Sequence, residues 1–98
     1  MAQRIYRTED GQDYFDFDVV RLPDDSLRAY ITDMPSYGSR DAGAHPTHRY
    51  YDSSSFRHYV CFDDKVYQEE DMLAVMKYWA EETQHYIRTG MPFRQPER

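Results

Sequence analysis

Aliphatic residues are scarce in this chain of 98: Ile, Leu and Val total 11, and Phe adds 5. That share lies under the roughly one-fifth at which charged chains begin to read as disordered, so other residues must complete any core. A single cysteine, Cys61, excludes an internal disulfide and any thiolate zinc knuckle, and it fits a reducing compartment. No apolar run approaches the roughly 18 residues a spanning helix needs, and mean hydropathy is −0.97. The opening Met-Ala-Gln-Arg-Ile-Tyr-Arg also lacks the apolar stretch of a secretory signal, so the expectation is a cytoplasmic chain with no membrane segment. Positive charge is in deficit, 12 Lys and Arg against 18 Asp and Glu for a net −6, which disfavours duplex nucleic acid as a partner. There is no phosphate-binding loop, dinucleotide fingerprint, calcium-loop oxygen spacing or nucleophile elbow. The length allows one core, so residues 1–98 read as a single domain.

What the chain has instead is tyrosine, ten of them. Tyr14 to Leu22 alternates with period two, placing Phe15, Phe17 and Val19 on one side and Tyr14, Asp16 and Asp18 on the other. Pro23-Asp24-Asp25-Ser26 is turn chemistry, and a second alternating run, Leu27 to Thr32, follows to form an antiparallel hairpin. Asp16 or Asp18 is expected opposite Arg28 on its polar side. The pattern then lapses over 34–55, a long irregular loop with a short strand at Arg49-Tyr50-Tyr51. Phe56 to Phe62 alternates again, with Phe56, His58, Val60 and Phe62 sharing a face. From Glu69 to Arg88, Met72, Val75, Met76, Trp79, Thr83, Tyr86 and Ile87 recur at helical spacing. Acidic residues crowd the first turn, and Gly90 and Pro92 end the helix. Residues 1–12 and 94–98 read as loose termini, with Phe93 folding back on the core.

The fold class expected is α+β: a small antiparallel sheet of three or four strands with one C-terminal amphipathic helix packed on one face. Its core would be Phe15, Phe17, Val19, Leu27, Ala29, Ile31, Val60 and Phe62 around Trp79. The other face and both edges stay open, which invites a partner or a second copy.

For chemistry, the sharpest spacing is His45-Pro-Thr-His48 followed by His58-Tyr-Val-Cys61, which has the ligand types of tetrahedral zinc. Its geometry is poor, because residues 58 and 61 project to opposite faces of a strand; no cofactor is expected, and the four remain metal candidates only. The close acidic pairs fall in turns and at the helix start, where they form turns and face the helix dipole.

Charge is distributed more tellingly. Arg40, Arg49 and Arg57 stand against Asp41 and Asp52 in 34–58, a local +1 on a body carrying −7. Tyr and Arg supply contact energy at binding hot spots, so Tyr37, Arg40, Arg49, Tyr50, Tyr51, Arg57 and Tyr59 are the candidate partner-binding residues. The function expected is a non-enzymatic interaction protein, probing a protein partner or itself through the open sheet face and the Tyr/Arg/His-rich loop. Two acidic rows, Asp10, Asp13, Asp16 and Asp18 and then Asp63, Asp64, Glu69, Glu70 and Asp71, suggest a mimic that occupies a basic surface. In general character the chain is similar to accessory and inhibitor proteins of phages and mobile elements, an analogy of class that no motif carries. The alternative is a small metal-dependent or histidine-based hydrolase or nuclease using the 45–61 cluster.

Overall fold

In the computed structural model, residues 2–62 and 64–94 are described. Five strands and two helices follow one another as β1 (Ala2–Arg7), β2 (Tyr14–Arg21), β3 (Leu27–Asp33), α1 (Ala44–Thr47), β4 (Arg49–Asp52), β5 (Arg57–Val60) and α2 (Glu69–Thr89). The strands form one antiparallel sheet in the order β1-β2-β3-β5-β4, and α2 covers one of its faces. The class is α+β as the alternation implied, with five strands instead of three or four. Among the described residues no helix is long and apolar enough to cross a membrane.

The additional strand is β1, in the segment expected to be loose. It pairs with β2 from Ala2 opposite Val19 to Arg7 opposite Tyr14. The hairpin closes through Thr8 N to Asp13 O at 3.0 Å, with Gly11 at φ 72° where a side chain would be strained. Sequence patterning misses this strand because its helix-facing side chains are Arg4 and Tyr6, which reach Glu69 and Glu81 of α2 instead of an aliphatic layer.

The core matches the alternation of β2 and the stripe of α2. Phe15, Phe17, Val19, Ala29 and Val60 face Met72, Val75, Met76, Trp79 and Ala80. Trp79 meets Phe15 and Phe17 edge-on at 5.8 and 6.0 Å between centroids, a favoured arrangement for ring quadrupoles. Leu27 and Ile31 are partly buried at its margin. Phe62 departs from the expected core and is half exposed, because β5 ends at Val60. Phe56 is also exposed; it lies outside the strand with a left-handed φ of 57°.

The segment 34–55 is not an irregular loop throughout. It contains α1 and β4, and it is docked on α2. The Trp79 indole N–H donates to the carbonyls of Thr47 and His48, at 3.0 and 3.1 Å. Tyr86 donates to the Asp41 carbonyl at 2.8 Å, and its ring meets that of Tyr37. At the far end, Gly90 takes φ 76° and its N–H returns to Tyr86 O at 2.7 Å, closing the helix as the sequence implied. Phe93 folds back onto His48 and Tyr78. Arg94, expected in the loose tail, is fixed by Glu82, whose carboxylate accepts from the Arg94 backbone and guanidinium, each at 2.7 Å. Of that tail, 95–98 lie outside the described residues, as do Met1 and Asp63.

Candidate functional site

The face of the sheet turned away from α2 carries an ordered array of tyrosine, arginine and aspartate. Cross-strand register sets one row over all five strands: Gln3 opposite Asp18, Asp18 opposite Tyr30, Tyr30 opposite Tyr59, and Tyr59 opposite Tyr50. Period-two alternation puts these side chains on one side, because their neighbours Phe17, Val19, Ala29 and Val60 point into the core. Tyr59 meets Tyr30 on one flank and Tyr50 on the other, both at 6.0 Å between centroids.

Two arginines lie over this row. The Arg28 guanidinium is 4.0 Å from the Tyr59 centroid, and that of Arg57 is 4.0 Å from the Tyr30 centroid. Cations prefer the negative face of an aromatic ring, so the stacks are attractive as well as space-filling. They also explain why Tyr30 is only 6% exposed on a face that α2 does not cover. Each arginine is then held by a carboxylate: Arg57 donates to Asp18 at 2.8 Å, and Arg28 stands 3.8 Å from Asp52. The expected pairing of Asp16 or Asp18 with Arg28 is therefore corrected: Arg28 lies opposite Val20, Asp18 pairs with Arg57 and Asp16 with Gln3.

Asp52 knits the array to the β4–β5 turn. It accepts from the Ser54 hydroxyl at 2.6 Å, the Ser54 backbone at 3.0 Å and the Tyr30 hydroxyl at 2.7 Å. These donors, the Ser54 hydroxyl first, hold its carboxyl well below the usual carboxylate range. The charges of Arg28, Arg57, Asp18 and Asp52 balance, so the array is a neutral patch on an acidic body.

At one end the face opens into a pocket of about 410 Å³. Its cause is topological: β3 pairs with β5 at only two positions, after which Leu27 bridges to Val66 instead. The chain spreads there, leaving Arg28, Tyr50, Tyr59 and Cys61 around a floor that includes Leu27 and Val66.

The residues singled out from sequence divide between two roles. Arg57, Tyr59 and Tyr50 belong to the outer face, and Tyr50 is 50% exposed. Tyr37, Arg40 and Arg49 fasten the docked segment. Tyr37 is buried beneath the Arg49 guanidinium, and burial raises its hydroxyl pKa to about 12. Arg40 donates to the carbonyls of Ile87 and Arg88, both at 3.1 Å, at the end of α2. Tyr51 turns to the other side with His58, ring to ring at 5.0 Å. Sequence reasoning passed over Arg28, Tyr30, Asp18 and Asp52 as site residues, although the polar side of the two alternating runs had already placed Asp18, Arg28 and Tyr30 together on one face.

Two of the histidine candidates pack locally, and His45 is exposed in α1. His48 stacks on Phe93 at 4.4 Å, and His58 lies beside Tyr51, its pKa lowered by burial and then by nearby Arg49. Cys61 N donates to the His48 carbonyl at 2.9 Å, a backbone contact. Among the described residues, no three His, Cys, Asp or Glu side chains come together in a way that would hold a metal ion. The first acidic row is engaged within the chain: Asp10 and Asp13 with Arg88, Asp16 with Gln3, and Asp18 with Arg57.

No protein-family model, curated protein or solved structure matches the chain.

Proposed function

We propose that this chain is a small non-enzymatic interaction protein whose outer sheet face docks a protein partner. The observation that carries the proposal is the pair of stacks, Arg28 on Tyr59 and Arg57 on Tyr30, locked by Asp52 and Asp18 on a face that α2 leaves uncovered. Arginine and tyrosine dominate binding hot spots because they bury large area, and here their rotamers are fixed before contact, which reduces the entropy lost on binding. The guanidiniums already have carboxylate partners, so a protein surface can cover them without stranding an unpaired charge. The adjoining pocket would take an apolar side chain at the rim of that contact. Neutrality of the patch argues for a protein rather than the phosphate backbone of a nucleic acid. It also narrows the mimicry idea, since the first acidic row is spent on internal pairs. A single thiol suits a reducing, cytoplasmic setting.

Affinity capture from the source cells tests this, with Arg28→Ala/Tyr59→Ala and Leu73→Ala compared against the unmodified chain. The double variant is expected to lose at least tenfold of a specifically retained protein, whereas Leu73→Ala, exposed on α2, retains it. Equal retention by all three folded chains contradicts the proposal.

A further inference from the structure

The sheet has one long uncovered edge. β2 occupies one side of β1, and among the described residues no strand pairs with the other. β1 is six residues of unbroken strand with no proline, whereas the opposite edge, β4, has four residues and contacts α1. Exposed edges are ordinarily guarded by proline, charged side chains, a bulge or a covering element, because their unpaired backbone groups template another strand. The charges of β1 are Arg4, which is neutralised by Glu69, and Arg7. In the middle of this edge, Ile5 stands 66% exposed on the outer face. Its neighbours there are Gln3 and Arg7, while Arg4 and Tyr6 turn toward α2.

We propose that β1 pairs antiparallel with β1 of a second copy about a two-fold axis at Ile5. Directly opposed residues of an antiparallel ladder share a face, so only registers centred on a residue keep both faces matched. Centring on Arg4 sets two cations against each other, and centring on Tyr6 sets Ile5 against Arg7. Centring on Gln3 leaves Ile5 beyond the ladder. At Ile5, Ile5 meets Ile5 of the second copy, Arg4 meets Tyr6, and Gln3 meets Arg7. Apolar surface is covered, each cation faces an aromatic or a neutral amide, and no like charges are opposed. Two five-stranded sheets then become one, and the tyrosine rows of the two copies lie on a common face. The bodies carry −6 each, so their repulsion is screened and association tightens as salt rises.

Sedimentation and site-specific crosslinking test the pairing independently of the partner-docking proposal. In a Cys61→Ser background, Ile5→Cys is expected to give a covalent dimer under mild oxidation. Arg4→Cys, opposed to Tyr6 in this register, and Leu73→Cys on α2 are expected to remain predominantly without a covalent crosslink. Ile5→Lys, which leaves the fold untouched at an exposed position, should shift the unmodified chain from dimer to monomer. A chain that sediments as a monomer at its highest soluble concentration overturns the inference. So does crosslinking at Arg4→Cys or Leu73→Cys that equals Ile5→Cys. A monomer that still captures its partner overturns the pairing alone.

Discussion

Arg57 of β5 reaches across β3 to Asp18 of β2, closing a 2.8 Å ion pair over the ring of Tyr30. The strand between them contributes the aromatic floor, so three strands are fastened at one point. This is the centre of the outer face, and the proposed docking relies on the geometry that this pair and stack hold.

A double-mutant cycle on Arg57→Ala and Asp18→Asn measures that fastening. Both side chains are about a fifth to a third exposed, so the coupling expected from urea unfolding is modest, about 0.5–1.5 kcal/mol, above that of a fully solvated pair. Coupling indistinguishable from zero would show that the pair holds no geometry.

The end of α2 offers a second measurement. Gly90 has φ 76°, and a Cβ there would lie 2.8 Å from Arg40 Nη1. Gly90→Ala is expected to cost about 1–2 kcal/mol from the left-handed backbone alone. The loss should be smaller in an Arg40→Ala background, where the clash is gone and only the backbone cost persists. Equal losses in both backgrounds would mean that Arg40 is not seated on the helix terminus.

Acidification should weaken the fold in two stages. His58 is lowered by burial, so the unfolded chain takes its proton first; stability present above the unfolded value of about 6.5 falls as pH drops through the folded value. Asp10, Asp24 and Asp52 are also lowered, chiefly by hydrogen bonds from Gln12 N, the Lys65 ammonium and the Ser54 hydroxyl. Their contribution is present above the unfolded value of about 3.9 and is lost below it. Thermal unfolding from pH 8 to pH 3 checks the sequence of events. His58→Gln should flatten the upper stage and leave the lower one; an unchanged upper stage would place its origin elsewhere.

The α+β plan was legible because β2 and α2 carry their apolar residues at the periods of strand and helix. Phe15, Phe17 and Trp79 fall together from periodicity alone. β1 was hidden because its inward residues, Arg4 and Tyr6, are satisfied by Glu69 and Glu81, 65 and 75 residues away. Arg40 and Arg49 were singled out on composition, which does not show that in the fold Arg40 hydrogen-bonds to the end of α2 and Arg49 stacks on Tyr37. Tyr50, Arg57 and Tyr59 did fall on the outer face. Their true companions, Arg28 and Tyr30, come from a distant hairpin, and only the β3–β5 register brings them into one row. The tyrosine excess pointed to a contact surface; which tyrosines line the outer face depends on strand order, which local periodicity does not encode.

The outer face is tested most directly by a photo-crosslinking amino acid placed at Tyr50, beside Tyr59, and in a second chain at Leu73 on the exposed side of α2. Irradiated in the source cells, the Tyr50 chain should attach one defined protein. The Leu73 chain should not, and the adduct should disappear when Arg28→Ala and Tyr59→Ala are added. Attachment of the same protein from Leu73 but not from Tyr50 would put the contact on the helix and contradict the account.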